Sequence, residues 1–288
     1  MHSFDPAAGA RAGAGVRPGG PPAMPAPAAT APAATALPTT TALPTTTALP
    51  AADSAYWAFY EEVAARQVHS WAPTRPSRVL DLSGPARTFA EGLVAAGHEV
   101  VHACSGPVVL SGGDVPGGRL LPVQADARSL DWMADGSVDA VLAESRALSR
   151  CLATEVTVQD LHRVLRPGGT LLLVVDSLGL GLAQLAEQGR WAELADVPNA
   201  DVVLVPGTGG SITRCFWPEE LVGLVQAAGL EVEWVRPRTV LTPAAVERAL
   251  AQGGRGAFDA LVTTELELAQ QAGESPGLHL VLSARRPV

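Results

Sequence analysis

Several polar side chains stand just past short apolar runs, where they could hold or activate a small ligand. Asp81 follows Val79-Leu80 and leads into Ser83-Gly84, Cys104 closes Val100–Cys104, Asp126 and Ala127 follow Leu120–Gln124, Glu144 and Ser145 follow Val138–Ala143, and Asp176 follows Leu171–Val175. In an open parallel sheet, ligands bind beyond the carboxyl ends of strands, beside the point where strand order reverses. A glycine such as Gly84 lets backbone approach a ligand closely, and a helix starting near Ala86 turns its free amides toward it. Other chemistries lack their residues. All 20 basic residues are arginine, so neither a Schiff-base lysine nor a phosphate-loop lysine exists. The six histidines are dispersed and none pairs with cysteine or carboxylate at ligand spacing, so no metal site is expected. Glu144-Ser145-Arg146 lacks the glycines of a hydrolase elbow, and no Gly-x-Gly-x-x-Gly occurs.

The elements that must position these residues emerge from Asp53 onward, where β-branched or Leu-rich runs alternate with Ala/Leu/Glu helical stretches, the pattern of a parallel sheet covered on both faces. Helices are expected at Tyr56–Val68, Phe89–Ala96, Val156–Leu165, Leu180–Leu194, Pro218–Ala228, Pro243–Ala251 and Phe258–Gln271. Strands are expected at Arg78–Leu82, Val100–Cys104, Leu120–Gln124, Val138–Glu144, Thr170–Val175, Leu230–Val235 and Leu278–Ala284. Between the second and third strands, Ser105–Arg119 carries five glycines and two prolines, so the usual crossover helix is missing there. Met1–Ala52 is different. It is rich in Gly, Ala and Pro, repeats Ala-Leu-Pro-Thr-Thr-Thr from Ala36 to Thr47, and is expected to be a disordered leader ahead of a domain spanning residues 53–288.

Composition narrows the partners. The net charge of −9 argues against an electrostatic grip on nucleic acid. No secretory signal and no membrane span is expected, and Cys104, Cys151 and Cys215 lie too far apart in sequence for a CxxC pair. A cytoplasmic location is expected. The sequence does not set the oligomeric state.

The order and spacing of four segments resemble the class I S-adenosylmethionine-dependent methyltransferases, particularly those acting on small molecules. Arg78-Val-Leu-Asp-Leu-Ser-Gly-Pro-Ala86 resembles the first-strand motif, Gln124-Ala-Asp-Ala127 the acidic motif after the third strand, Gly136-Ser-Val-Asp-Ala-Val141 the fourth-strand motif, and Leu161–Leu171 with its Pro167-Gly168-Gly169 turn the segment that follows. With Phe216–Leu221 and Ala228–Val232 the likeness spans nearly all of residues 53–288. The resemblance implies a Rossmann-like, doubly wound α/β fold with a mostly parallel seven-stranded sheet and an antiparallel last strand. It also implies S-adenosylmethionine as cofactor and a small organic molecule as methyl acceptor.

Residue by residue, it implies a cofactor site of Tyr60, Asp81, Ser83, Gly84, Cys104, Asp126, Ala127 and Glu144. Asp126 would accept from the adenine amino group and Ala127 would offer its amide. Glu144 would be the catalytic base if one is used, with His102 and Asp176 behind it; His102, inside a central strand, is more readily a core histidine, and Asp139 a structural turn acid. Tyr56, Trp57 and Tyr60 open the chain as either a lid or core packing, and the block Arg190–Arg214 is either a substrate-covering element or a surface excursion. Two departures stand out. Where the family has Gly-x-Gly-x-Gly this chain reads Ser83-Gly84-Pro85-Ala86-Arg87, and the ribose-clasping acid is replaced by Cys104. The alternative is a non-catalytic relative that keeps the fold for binding or regulation.

Overall fold

In the computed structural model the described residues are 54–106, 113–115, 117–207, 210–254, 256–271 and 277–288. The expected leader lies outside them. The described residues fall within one compact unit.

The chain opens with helix α1 (Ala55–Trp71), capped by Ser54, whose Oγ accepts from the Tyr56 amide at 3.1 Å. Strand β1 (Arg78–Asp81), helix α2 (Thr88–Ala95) and strand β2 (Glu99–Cys104) follow. Gly97, at φ 95°, ends α2 in the left-handed conformation that glycine adopts without penalty. A short strand β3 (Gly113–Val115) pairs antiparallel with β4 (Gly118–Gln124), and β5 (Val138–Ala143), α3 (Thr154–Val164) and β6 (Leu165–Asp176) complete the central frame. Then come α4 (Leu178–Glu187), α5 (Trp191–Asp196), β7 (Val203–Pro206), β8 (Ile212–Cys215), α6 (Pro218–Ala227), β9 (Glu231–Pro237), α7 (Pro243–Gln252), α8 (Ala257–Gln271) and β10 (His279–Arg285).

The main sheet runs β3-β4-β2-β1-β5-β6-β10-β9. From β4 to β6 every pairing is parallel, whereas β10 runs antiparallel between β6 and β9. This is the expected seven-stranded, doubly wound sheet with one addition, the edge strand β3. The glycines and prolines that deny this connection a helix leave room for a three-residue strand that hairpins back onto β4.

Strand order reverses at β1, which lies between β2 and β5, so β1 and β5 frame the crevice where ligands of such sheets bind. Apolar residues of the central strands pack both faces of the sheet around it. Leu80, Val101, Val141, Leu171, Leu173 and Leu282 bury themselves on one side of the sheet, Val79, Val100, Leu142, Leu172 and Val281 on the other.

One expectation needs correction. The single helix expected at Leu180–Leu194 is two, because Gly189 takes φ 68° and turns the chain between α4 and α5. The Arg190–Arg214 block is an ordered excursion. It contains α5 and the first arm of the β7–β8 hairpin, whose Val203 and Val205 pack with Leu178, Leu185 and Cys215 into a core of their own. Among the described residues no helix is long and apolar enough to cross a membrane.

Candidate active site

At the carboxyl end of the parallel strands lies a cleft of about 420 Å³. Each strand delivers its residues at the point where it leaves the sheet: Ser83 and Gly84 after β1, Cys104 at the end of β2, Ala127 after β4, and Glu144 and Arg146 after β5. Because β10 is antiparallel, its first residue, His279, arrives at the same edge. A stripe of α1, Trp57, Tyr60, Glu61 and Ala64, covers the cleft at helical spacing. The opposite stripe, Tyr56, Phe59 and Val63, is buried with residues of α7 and α8. The opening helix is therefore cover and core at once, with Tyr56 sealed inside and its hydroxyl on Thr239 Oγ1 at 2.8 Å.

Of the expected cofactor residues, Tyr60, Ser83, Gly84, Cys104, Ala127 and Glu144 line this one cleft; Asp81 and Asp126 do not. Asp81 is sealed within the sheet, where it accepts from His102 Nδ1 at 2.7 Å and from both the amide and the hydroxyl of Ser83. His102 is thus the core histidine the strand pattern implied. Asp126, on the surface, sits in the fork of Arg128, with contacts of 2.8 to 3.2 Å, and also accepts the Arg128 amide. Those hydrogen bonds, led by the one from the Arg128 side chain, hold its carboxyl below the usual range. Asp139 binds the Arg78 amide and Arg166, at the other end of the strands.

The turn after β1 shows how Ser83 is tolerated where the family has glycine. Gly84 alone takes the left-handed conformation there, at φ 84°, while Ser83 is drawn onto Asp81. A Cβ on Gly84 would meet Ser145 Cβ at 3.7 Å, so conformation rather than space requires glycine. Cys104 Sγ turns to the Gly106 carbonyl at 3.8 Å, leaving no carboxylate at the end of β2.

Glu144, the expected base, is buried and forms an ion pair through Oε1 with Arg238, itself 0% exposed. Burial pushes the Glu144 carboxyl up while Arg238 opposes the rise. Arg238 also donates to Gln67 of α1, and its guanidinium lies 5.9 Å from the Tyr60 ring.

A second polar chain escaped the sequence reading. Tyr60 Oη lies 2.9 Å from His279 Nδ1, and His279 Nε2 lies 3.2 Å from Asp176 Oδ1, which also receives Arg146 NH1 at 2.9 Å. A carboxylate oxygen only accepts, so the imidazole proton belongs on Nε2, and Nδ1 accepts from Tyr60. The 3.3 Å approach of Arg146 NH1 to Nε2 is then that of two donors sharing one oxygen. Among the described residues, Arg146 is the one non-glycine residue with positive φ, 56°, a conformation costing about 1–3 kcal/mol. The turn it makes aims Glu144, Ser145 and Arg146 together into the cleft, and the bond to Asp176 holds it. Burial lowers the His279 pKa, and burial raises that of Tyr60, so both are neutral near pH 7.

The Arg190–Arg214 block contributes none of its described residues to the cleft. A second hollow, about 340 Å³, lies against edge strand β9 between α1 and α8, away from the strand ends.

Comparison with known proteins agrees with this geometry. Residues 84–173, from the β1 turn through most of β6, match a family described as "Methyltransferase domain". This match covers the central frame of the domain, and the rest of the chain shares the fold of such proteins. Solved methyltransferases share the fold at low identity. The Burkholderia thailandensis 1,6-didemethyltoxoflavin-N1-methyltransferase, solved with 1,6-didemethyltoxoflavin and S-adenosylhomocysteine bound, is 18% identical with TM-score 0.51, over 81% of this chain and 82% of that one. A Methanosarcina mazei methyltransferase is 18% identical with TM-score 0.50, over 77% and 97%, and one from Mesorhizobium loti 15% identical with TM-score 0.50, over 78% and 98%. No curated protein matches the sequence. The strand ends, the Gly84 turn and the α1 cover together form the cleft at the carboxyl end of the sheet.

Proposed function

We propose that residues 53–288 are a catalytic domain that transfers a methyl group from S-adenosylmethionine to a small organic acceptor in the cytoplasm. The observation that carries the reading is that six expected site residues, delivered by four strands and α1, converge on one cleft at the switch point. When bound, the cofactor supplies a methyl group made electrophilic by its sulfonium. The residues present fit it. The volume lies within the 300–1,000 Å³ typical of ligand pockets, and Gly84 lets its methionyl end approach the backbone.

In this reading Ala127 offers its backbone amide to the adenine, while Asp126 and Arg128 fix the turn that presents it. Cys104 and Ser105 border the ribose without charge. Glu144, held by Arg238, keeps a carboxylate near the cofactor's cationic end. Trp57 and Tyr60 cover the cleft and exclude water, and alignment of the acceptor with the methyl group supplies most of the rate. Three cysteines, all unpaired and buried, suit a reducing compartment.

Thermal unfolding with added cofactor tests the proposal. S-adenosylhomocysteine at 100 times its dissociation constant adds about 2.7 kcal/mol, which raises the midpoint of a domain this size by roughly 5–10 °C. An unmoved midpoint with millimolar cofactor and product would favour the non-catalytic alternative.

A further inference from the structure

We infer that Tyr60, His279 and Asp176 form a proton relay that ionises a phenolic hydroxyl on the methyl acceptor, an inference that rests on the methyltransferase reading above. The three side chains connect in series, at 2.9 Å from Tyr60 Oη to His279 Nδ1 and 3.2 Å from His279 Nε2 to Asp176 Oδ1. Tyr60 and His279 both line the cleft, while Asp176 is buried behind them. Strand pairing makes the arrangement rigid, because His279 and Asp176 are register partners on adjacent antiparallel strands. Packing alone does not call for it, since burying two ionisable groups side by side costs several kcal/mol that an apolar pair would not.

The step balances. As the acceptor oxygen bonds to the methyl carbon, the carbon–sulfur bond breaks with its electron pair left on sulfur. The acceptor's proton passes to Tyr60 Oη, and the proton of Tyr60 passes to His279 Nδ1. The imidazolium so formed donates from Nε2 to Asp176, and Tyr60 ends neutral, as its raised pKa requires. The charge lost from the sulfonium reappears on the imidazole.

The acceptor class follows from two features. A buried imidazole, below its ordinary 6.5, is too weak a base for an alkanol but close enough to a phenol near 10 for concerted transfer. The cleft also presents the guanidinium groups of Arg146 and Arg150, which favour a developing oxyanion over an ammonium, and the aromatic side chains Trp57, Tyr60 and Phe89 suit a ring. The charged and titratable groups around His279 are Tyr60, Asp176, Arg146 and Arg238. Glu144 reaches Tyr60 only through Arg238, which bonds both, and does not touch His279, so the base role expected of it passes to Tyr60.

The test uses 4-nitrophenol, whose ionised form absorbs in the visible, with the full chain saturated by S-adenosylhomocysteine at a pH about one unit below the probe's own ionisation. Wild type is expected to raise the ionised fraction of bound probe at least about fivefold over free probe. His279→Gln, whose amide keeps hydrogen bonds but takes no proton, and Tyr60→Phe, which keeps the ring, should each abolish the rise. If the product binds calorimetrically but no ionised band appears, or the band survives in both relay variants, the relay is overturned and the methyltransferase reading stands. If the product itself does not bind, both fall. Imidazole ¹⁵N shifts give an independent arm: a His279 proton on Nδ1 rather than Nε2 overturns the relay.

Discussion

Replacing Arg238 with Met should destabilise this protein by an amount that depends on pH. Arg238 is fully buried and is the ion-pair partner of Glu144, whose side chain is 6% exposed. Removing one partner of such a pair costs about 3–5 kcal/mol because a buried charge is left uncompensated. Glu144 can limit that cost by taking up a proton. Burial already pushes its pKa up, and Arg238 supplies the main opposition. Holding a carboxyl of ordinary pKa 4.5 protonated at pH 7 costs about 3.4 kcal/mol, and at pH 5 about 0.7 kcal/mol. The sign follows from proton counting: an acid with a raised folded pKa binds more protons folded than unfolded, so stability falls as pH rises above its unfolded value. Urea unfolding at the two pH values should therefore show a deficit near 3–4 kcal/mol at neutral pH that shrinks by about 2–3 kcal/mol on acidification. Adding Glu144→Gln should remove most of the pH dependence. A variant within about 1 kcal/mol of wild type at pH 7, or a deficit indifferent to pH, would refute the reasoning.

Three further outcomes are expected. His279, whose folded pKa burial depresses, contributes stability above its unfolded value of 6.5 that is lost as pH falls through the folded value; thermal midpoints between about pH 7.5 and 5.5 should decline less in His279→Gln than in wild type. Gly181→Val should lower stability by about 1–3 kcal/mol, because a Cβ there would lie 2.8 Å from Cys215 Sγ where α4 meets the β7–β8 hairpin; an unchanged urea midpoint would contradict that packing. Asp126→Ala should leave product affinity within about threefold, since an exposed pair with Arg128 contributes little; a tenfold loss by calorimetry would return the carboxylate to the adenine.

Much of the frame was legible because apolar runs and turn residues state it directly. Val138–Ala143 and Leu171–Val175 are buried nearly throughout, and such runs belong only in a sheet covered on both faces. Gly97 and Gly84 announced the end of α2 and the close turn after β1. Side-chain partnerships were less legible. Asp81 and Asp126 occupy their motif positions, yet each satisfies its carboxylate locally, on Ser83 and His102 or on Arg128, and motif position does not say which partner wins. Arg238 and His279 sit far along the chain from Glu144 and Tyr60, and only pairing across β6, β10 and β9 brings them to the cleft. A histidine opening the last apolar strand and an arginine just past β9 were the available signals. Local pattern carries no information about such long-range meetings.

The central claim, that the cleft between β1 and β5 receives the sulfonium cofactor, is tested most directly by titration calorimetry of S-adenosylhomocysteine. The account predicts saturable binding at one site per chain, weakened when Gly84→Leu forces a side chain into the left-handed turn. Absence of any heat of binding, or binding unaffected by that change in a folded variant, would contradict it.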